Sequence, residues 1–200
     1  MVVVYPMDCI FSSLAHQPID VTDANAFAKP EGMAYFIPNE GPLNPGMKTH
    51  SETVYVTYIV ASPEKVWEAL TLPVFSQEYF FGRRVKSDWK VGSQVTYYLS
   101  DGRVDVQGKV LQSEPPNLLS FTWHVEWHEE FRRLPETIVR FNIDSLGGFV
   151  RLTMTEQHPV TMDEKYLDGG RRGWPVILSG LKTLLETGHP LPAFDLAVWT

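Results

Sequence analysis

Trp174, Ile177, Leu178, Leu181, Leu184 and Leu185 form one apolar stripe at helical spacing near the end of the chain. The stripe follows a run of short β-type segments, and this combination constrains the fold more than any other feature. The segments are 85–89, 93–99, 103–113, 118–127, 136–144 and 149–158, each rich in β-branched or aromatic residues. They are separated by VG, SDG, EPPN, EEFRRLP and LGG. Linkers this short join neighbouring strands, so the order reads as an antiparallel meander. A single sheet must cover its apolar face, and the striped segment GWPVILSGLKTLLETG is the only one long enough to do so. Pro175 suits the first turn of that helix, and Gly188 suits the position just past its end.

Upstream, TVYVTYIVA reads as a further strand. SPEKVWEALT then reads as a short amphipathic helix, with Ser62 as N-cap, Pro63 at the first helical position and Val66, Trp67 and Leu70 on one face. Pro73 opens a second short helix that Gly82 ends, with Phe75, Tyr79 and Phe80 together on its surface. The class is therefore α+β. Residues 1–48 differ: six prolines and no sustained period mark an irregular N-terminal extension. Met47 is equally readable as an alternative start, and both readings stay open. Residues 49–200 form the domain.

A formal net charge of −7 argues against a nucleic-acid partner and against an anionic membrane surface. No apolar run reaches the ~20 residues of a membrane-spanning helix, and no secretory leader is visible. Cys9 is the only cysteine, so neither an intrachain disulfide nor a thiolate zinc cluster is expected, and the natural compartment is the cytoplasm.

The stretch FTWHVEWHEE places His124 and His128 four residues apart. On a helix such a pair lies ~6 Å apart along the axis and shares a metal readily; on a strand the separation is ~13 Å. Phe121, Trp123, Val125 and Trp127 alternate with Thr122, His124, Glu126 and His128, which is the period of a strand. The expectation is no metal site, with His124 and His128 on a polar face or at a cavity edge. There is no GxSxG elbow. DGGRR lacks the strand-before, helix-after setting of a phosphate loop and reads as a loop and hinge, and Glu129 and Glu130 read as a solvated turn. No cofactor motif is present. Aromatic residues are 12% of the chain, and many fall on inward faces. Most serve packing, yet a sheet wrapped around one helix leaves an apolar cleft suited to a small molecule.

Several segments together resemble the START-like, or SRPBCC, superfamily, and within it bacterial proteins similar to the C-terminal domain of activators of the heat-shock protein 90 ATPase. They are ASPEKVWEALT, EYFFG, SDWKVGSQVTYY, GKVLQSEPPNLLSFTW, RLTMTEQH and GWPVILSGLKTLLETG, and they span residues 51–192 in this order. The resemblance implies a helix-grip fold: a curved antiparallel sheet wrapped around a long C-terminal helix, with two short helices after the first strand and a cavity between. That superfamily includes hydrophobic-ligand carriers, polyketide cyclases and co-chaperone-like domains and shares no catalytic motif, so fold alone does not fix function.

The leading expectation is a cytosolic protein that binds a small hydrophobic molecule. Its wall candidates are Phe75, Tyr79, Phe80, Trp89, Tyr97, Trp123, Trp127, Phe141, Met154, Trp174 and Leu178, and its polar candidates are His124, Arg140 and Arg151. One alternative is a cyclase- or hydrolase-like enzyme using His124 with Glu126 or Tyr97. The other is a protein-binding domain whose partner is a chaperone ATPase or a regulator.

Overall fold

The computed structural model describes residues 51–192, so the readings for 1–48 and for Met47 lie outside the described residues. The chain runs β1 (Ser51–Ile59), α1 (Pro63–Thr71), α2 (Pro73–Tyr79), β2 (Arg84–Lys86), β3 (Gln94–Tyr98), β4 (Val104–Glu114), β5 (Leu118–Val125), α3 (Glu129–Arg132), β6 (Thr137–Ser145), β7 (Val150–His158) and α4 (Glu164–Thr187). Seven antiparallel strands form one sheet in the order β1-β7-β6-β5-β4-β3-β2. The meander from β2 to β7 follows the sequence, and β1 closes the far edge by pairing with β7 from Ser51–His158 to Ile59–Val150.

Period-two burial defines the faces. Thr137, Val139, Phe141 and Ile143 of β6 are buried, as are Val150, Leu152, Met154, Glu156 and His158 of β7, while the residues between them are more open apart from Thr155, which is also buried. Helix α4 covers this inner face with Trp174, Ile177, Leu178 and Leu181. Gly180 brings it against α2, where an added Cβ would stand 3.1 Å from the Tyr79 carbonyl oxygen. Register shifts at Tyr97/Tyr98 and Val110/Gln112 mark irregularities in β3 and β4, of the kind that raises local twist. Between β4 and β5 the backbones approach so closely that a Cβ on Gly108 would lie 1.7 Å from the Thr122 carbonyl oxygen.

Several local expectations hold. The Ser62 side chain accepts from the Lys65 amide, and Gly188 caps α4 in the left-handed region at φ 76°. Others are corrected. Helix α4 begins at Glu164 behind an Asp163 N-cap, so Pro175 lies inside it and DGGRR is helical, not a hinge. The segment read as 85–89 is a strand only as far as Lys86, and Trp89, at φ 57°, lies outside any β conformation. Strand β5 stops at Val125, and EEFR forms a short helix in place of a simple turn. Among the described residues, no helix is long and apolar enough to cross a membrane.

Candidate functional site

Between α4 and the β5–β6–β7 part of the sheet lies a cavity of about 280 Å³. Its aromatic wall draws on four elements. Strand alternation turns Trp123 of β5 inward, and Phe80 stacks on it from the end of α2 at 6.0 Å between ring centres and 12° between planes. Trp174 of α4 meets Trp123 at 5.3 Å. Trp127 and Phe131 complete the wall, with Phe131 edge-on to Tyr166 at 5.6 Å. The Glu130 carboxylate, which accepts from Lys165 Nζ and from Tyr166 Oη at 2.7 Å, ties α3 to the start of α4. Gly169, Gly170 and Gly173 also line the cavity, and a Cβ at Gly169 or Gly173 would meet nothing within 4 Å.

Three polar features lie in or next to the apolar lining. Glu156 and His158 sit two apart on β7, so both face inward, at 8% and 5% exposure. The Glu156 carboxyl accepts from Trp174 Nε1 at 3.2 Å and, weakly, from Thr137 Oγ1 at 3.5 Å. His158 Nε2 lies 3.9 Å from Glu156 Oε2, too far for a hydrogen bond, and among the described residues neither ring nitrogen has a partner. Burial pushes the Glu156 carboxyl up, against the pull of its two donors, and pushes the His158 imidazole down. On neighbouring β1, burial and then the Glu156 charge push the Tyr55 phenol up to about 12, and its buried hydroxyl is also unpartnered. The third feature is the Arg83–Asp105 ion pair at another side of the cavity. Asp105 Oδ1 is left without a partner there, while the Arg83 guanidinium lies over Phe80 at 5.4 Å.

The residues anticipated from sequence fall into three groups. Phe80, Trp123, Trp127, Trp174 and His124 line the cavity. Tyr79, Tyr97, Phe141, Met154 and Leu178 are core residues behind it, with Tyr97 touching Trp123 at 5.2 Å and Phe141 touching Trp174 at 6.4 Å. Phe75 is packed against the core, and Trp89 donates its indole N–H to the Thr71 carbonyl while its ring meets Phe121. Arg140 and Arg151 belong to the opposite face of the sheet: they alternate with the buried residues and bind Gln112 with Asn142, and Asp144, respectively. His124 has Nδ1 at 2.9 Å from Glu126 Oε1 and Nε2 at 3.1 Å from the Arg132 carbonyl, so both nitrogens are committed. Among the described residues no three His, Cys, Asp or Glu side chains are placed to hold a metal ion.

Sequence reasoning passed over Glu156 and His158. The signal was present: in RLTMTEQH they continue the inward series of Leu152 and Met154, putting two ionisable groups on an apolar face.

The fold and the site define a helix-grip protein, a seven-stranded antiparallel sheet packed on its C-terminal helix with a cavity that opens to solvent between them. The sequence pattern of the family described as activator of Hsp90 ATPase homolog 1-like protein matches residues 60–186, and the chain belongs to that family. A protein of Mesorhizobium loti is similar in structure, with 26% identity, a TM-score of 0.57, and coverage of 68% of this chain and 96% of that one. DynU16, from the dynemicin biosynthetic locus, is 22% identical with a TM-score of 0.59 over 70% of this chain and 48% of its own. An Hsp90 activator of Plasmodium falciparum is 19% identical with a TM-score of 0.55 over 70% of this chain and 97% of its own. The last two likenesses are of fold alone. No curated protein matches the chain.

Proposed function

We propose that the protein binds a small hydrophobic molecule in the cavity between α4 and the sheet, and does so in the cytoplasm. The observation that carries this reading is the cavity of about 280 Å³ walled by Phe80, Trp123, Trp127, Phe131 and Trp174. Apolar clefts with a few convergent polar groups are the usual form of small-molecule sites. An engineered apolar cavity of ~150 Å³ holds benzene, so this one suits a molecule of roughly ten heavy atoms or somewhat more.

An environment-sensitive apolar dye tests the reading. Wild-type protein binds it with one-to-one stoichiometry. Gly173→Leu, whose side chain enters open space at the lining, lowers affinity at least about tenfold while the far-ultraviolet circular dichroism is retained. Equal binding by the two proteins, or none by either, refutes the assignment. Native mass spectrometry of protein from its own host then identifies the resident molecule as an extra mass lost on denaturation.

A second reading, a protein-binding role, is favoured by a different observation. Val54, Val56 and Tyr58 are each 52% exposed along the outer face of edge strand β1, and Tyr58 is extended by its ring contact with Phe149. The fold neighbour described as an Hsp90 activator makes a chaperone ATPase the partner to try first.

A further inference from the structure

Resting on the reading of the cavity as a small-molecule site, we propose that its ligand is a hydrophobic amine bound as the ammonium ion, with nitrogen at Glu156 and His158 and the carbon body against Trp123 and Trp174. The argument is one of unmatched chemistry. The formally charged groups that line the cavity are Arg83, Asp105 and Glu156. Arg83 is committed to Asp105, which leaves Glu156 as a nearly buried acid whose hydrogen bonds come from the neutral donors Trp174 and Thr137. Among the described residues no lysine or arginine lies within ion-pairing distance of it. Arg171, the cation whose charge reaches Tyr55, is exposed and paired with Glu164.

A buried carboxyl without a cation ionises only at high cost, because a desolvated charge is stabilised only by a partner. Glu156 is held towards its neutral form by burial, and an ammonium beside it restores the charged form. The further vacant hydrogen-bonding capacity at the cavity also asks for donors. Beside Glu156, His158 offers one accepting nitrogen that has no partner among the described residues. An ammonium carries three N–H donors. An anionic ligand would instead meet the Glu156 carboxyl, with no uncommitted lysine or arginine among the lining residues. The wall suits the carbon body: the Trp123 and Trp174 rings, 5.3 Å apart, form a continuous apolar surface next to Glu156. Gly170 completes the fit, since a Cβ there would stand 3.0 Å from Glu156 Oε2 and crowd the carboxylate.

The test is a matched series measured by isothermal titration calorimetry on the full chain: 2-phenylethylamine, 2-phenylethanol and 3-phenylpropanoate. The amine is expected to bind at least about tenfold more tightly than the alcohol and the acid. Glu156→Gln is expected to bring the amine down to the level of the alcohol, with folding of the variant checked by circular dichroism. Amine and alcohol binding equally, or the acid binding most tightly, overturns the amine assignment and leaves the cavity reading standing. If none of the three binds the wild type, the amine assignment falls, and if the apolar dye also fails, the cavity reading falls with it. Should Glu156→Gln not fold, the wild-type ranking alone still decides.

Discussion

At the scale of single residues, the cavity is defined by where ionisable groups sit relative to apolar ones. Burial raises Glu156, so the folded state holds that proton more tightly than the unfolded chain does. The contribution to stability is fully present below the ordinary value of 4.5 and is lost as pH rises through the folded value. His158 works in the opposite sense, being lowered from 6.5, so its contribution is present above that value and is lost as pH falls below it. The groups around Glu156 are His158 on β7, Tyr55 on β1 and, further out, the charge of Arg171 on α4. A Glu156→Gln variant removes one titration and leaves the others. Its melting temperature is expected to track the wild type near pH 4 and to exceed it increasingly up to pH 7; a constant gap across that range counts against a raised Glu156. Half of this site was legible from the chain. The aromatic wall was visible as inward-facing Trp123 and as Phe80 and Trp174 on helical surfaces. Arg140 and Arg151 were misplaced because a one-residue difference in alternation sends a side chain to the other face. Glu156 and His158 went unread because ionisable residues on an apolar strand face declare themselves only once burial is known.

Elements were legible where period and punctuation agreed. The strands announced themselves by alternation between turns, and α1 by its cap and proline. The beginning of α4 did not. Gly169, Gly170, Gly173 and Pro175 are all poor helix formers, so intrinsic preference argued for a loop. Packing of Trp174, Ile177 and Leu178 against the sheet outweighs that preference, and Asp163 supplies the cap that marks the true start. The β4–β5 pair carries the sharper demand. With the Thr122 carbonyl oxygen where a Cβ would lie, Gly108→Ala forces the strands apart, and a loss of about 3 kcal/mol is expected. That is a fall of roughly 6–12 °C in melting temperature for a chain of this size. An unchanged melt would mean that the close approach does not hold in solution. Ala substitution at Gly180, where the nearest atom is at 3.1 Å, needs only a small shift of Tyr79.

At the scale of the whole molecule, two surfaces compete for the functional role, the inner cavity and the outer face of β1. They are separable because Val56 points away from the cavity-lining side of the sheet. Val56→Glu is expected to leave dye binding within about twofold, while abolishing stimulation of an Hsp90-type ATPase if that partner is the correct one. Stimulation by the wild type that survives the charge would place the contact elsewhere. The same strand has a consequence for how the protein is made. Ser51 of β1 pairs with His158 of β7, so the first strand of the sheet to leave the ribosome finds its hydrogen-bonding neighbour among the last. At ordinary translation speeds that interval is on the order of 5–20 s, during which a strand bearing Val54, Val56 and Tyr58 has an open edge on both sides. For that interval the nascent chain is a substrate for whatever protects unpaired strands in the cell, before it can be a partner or a carrier for anything else.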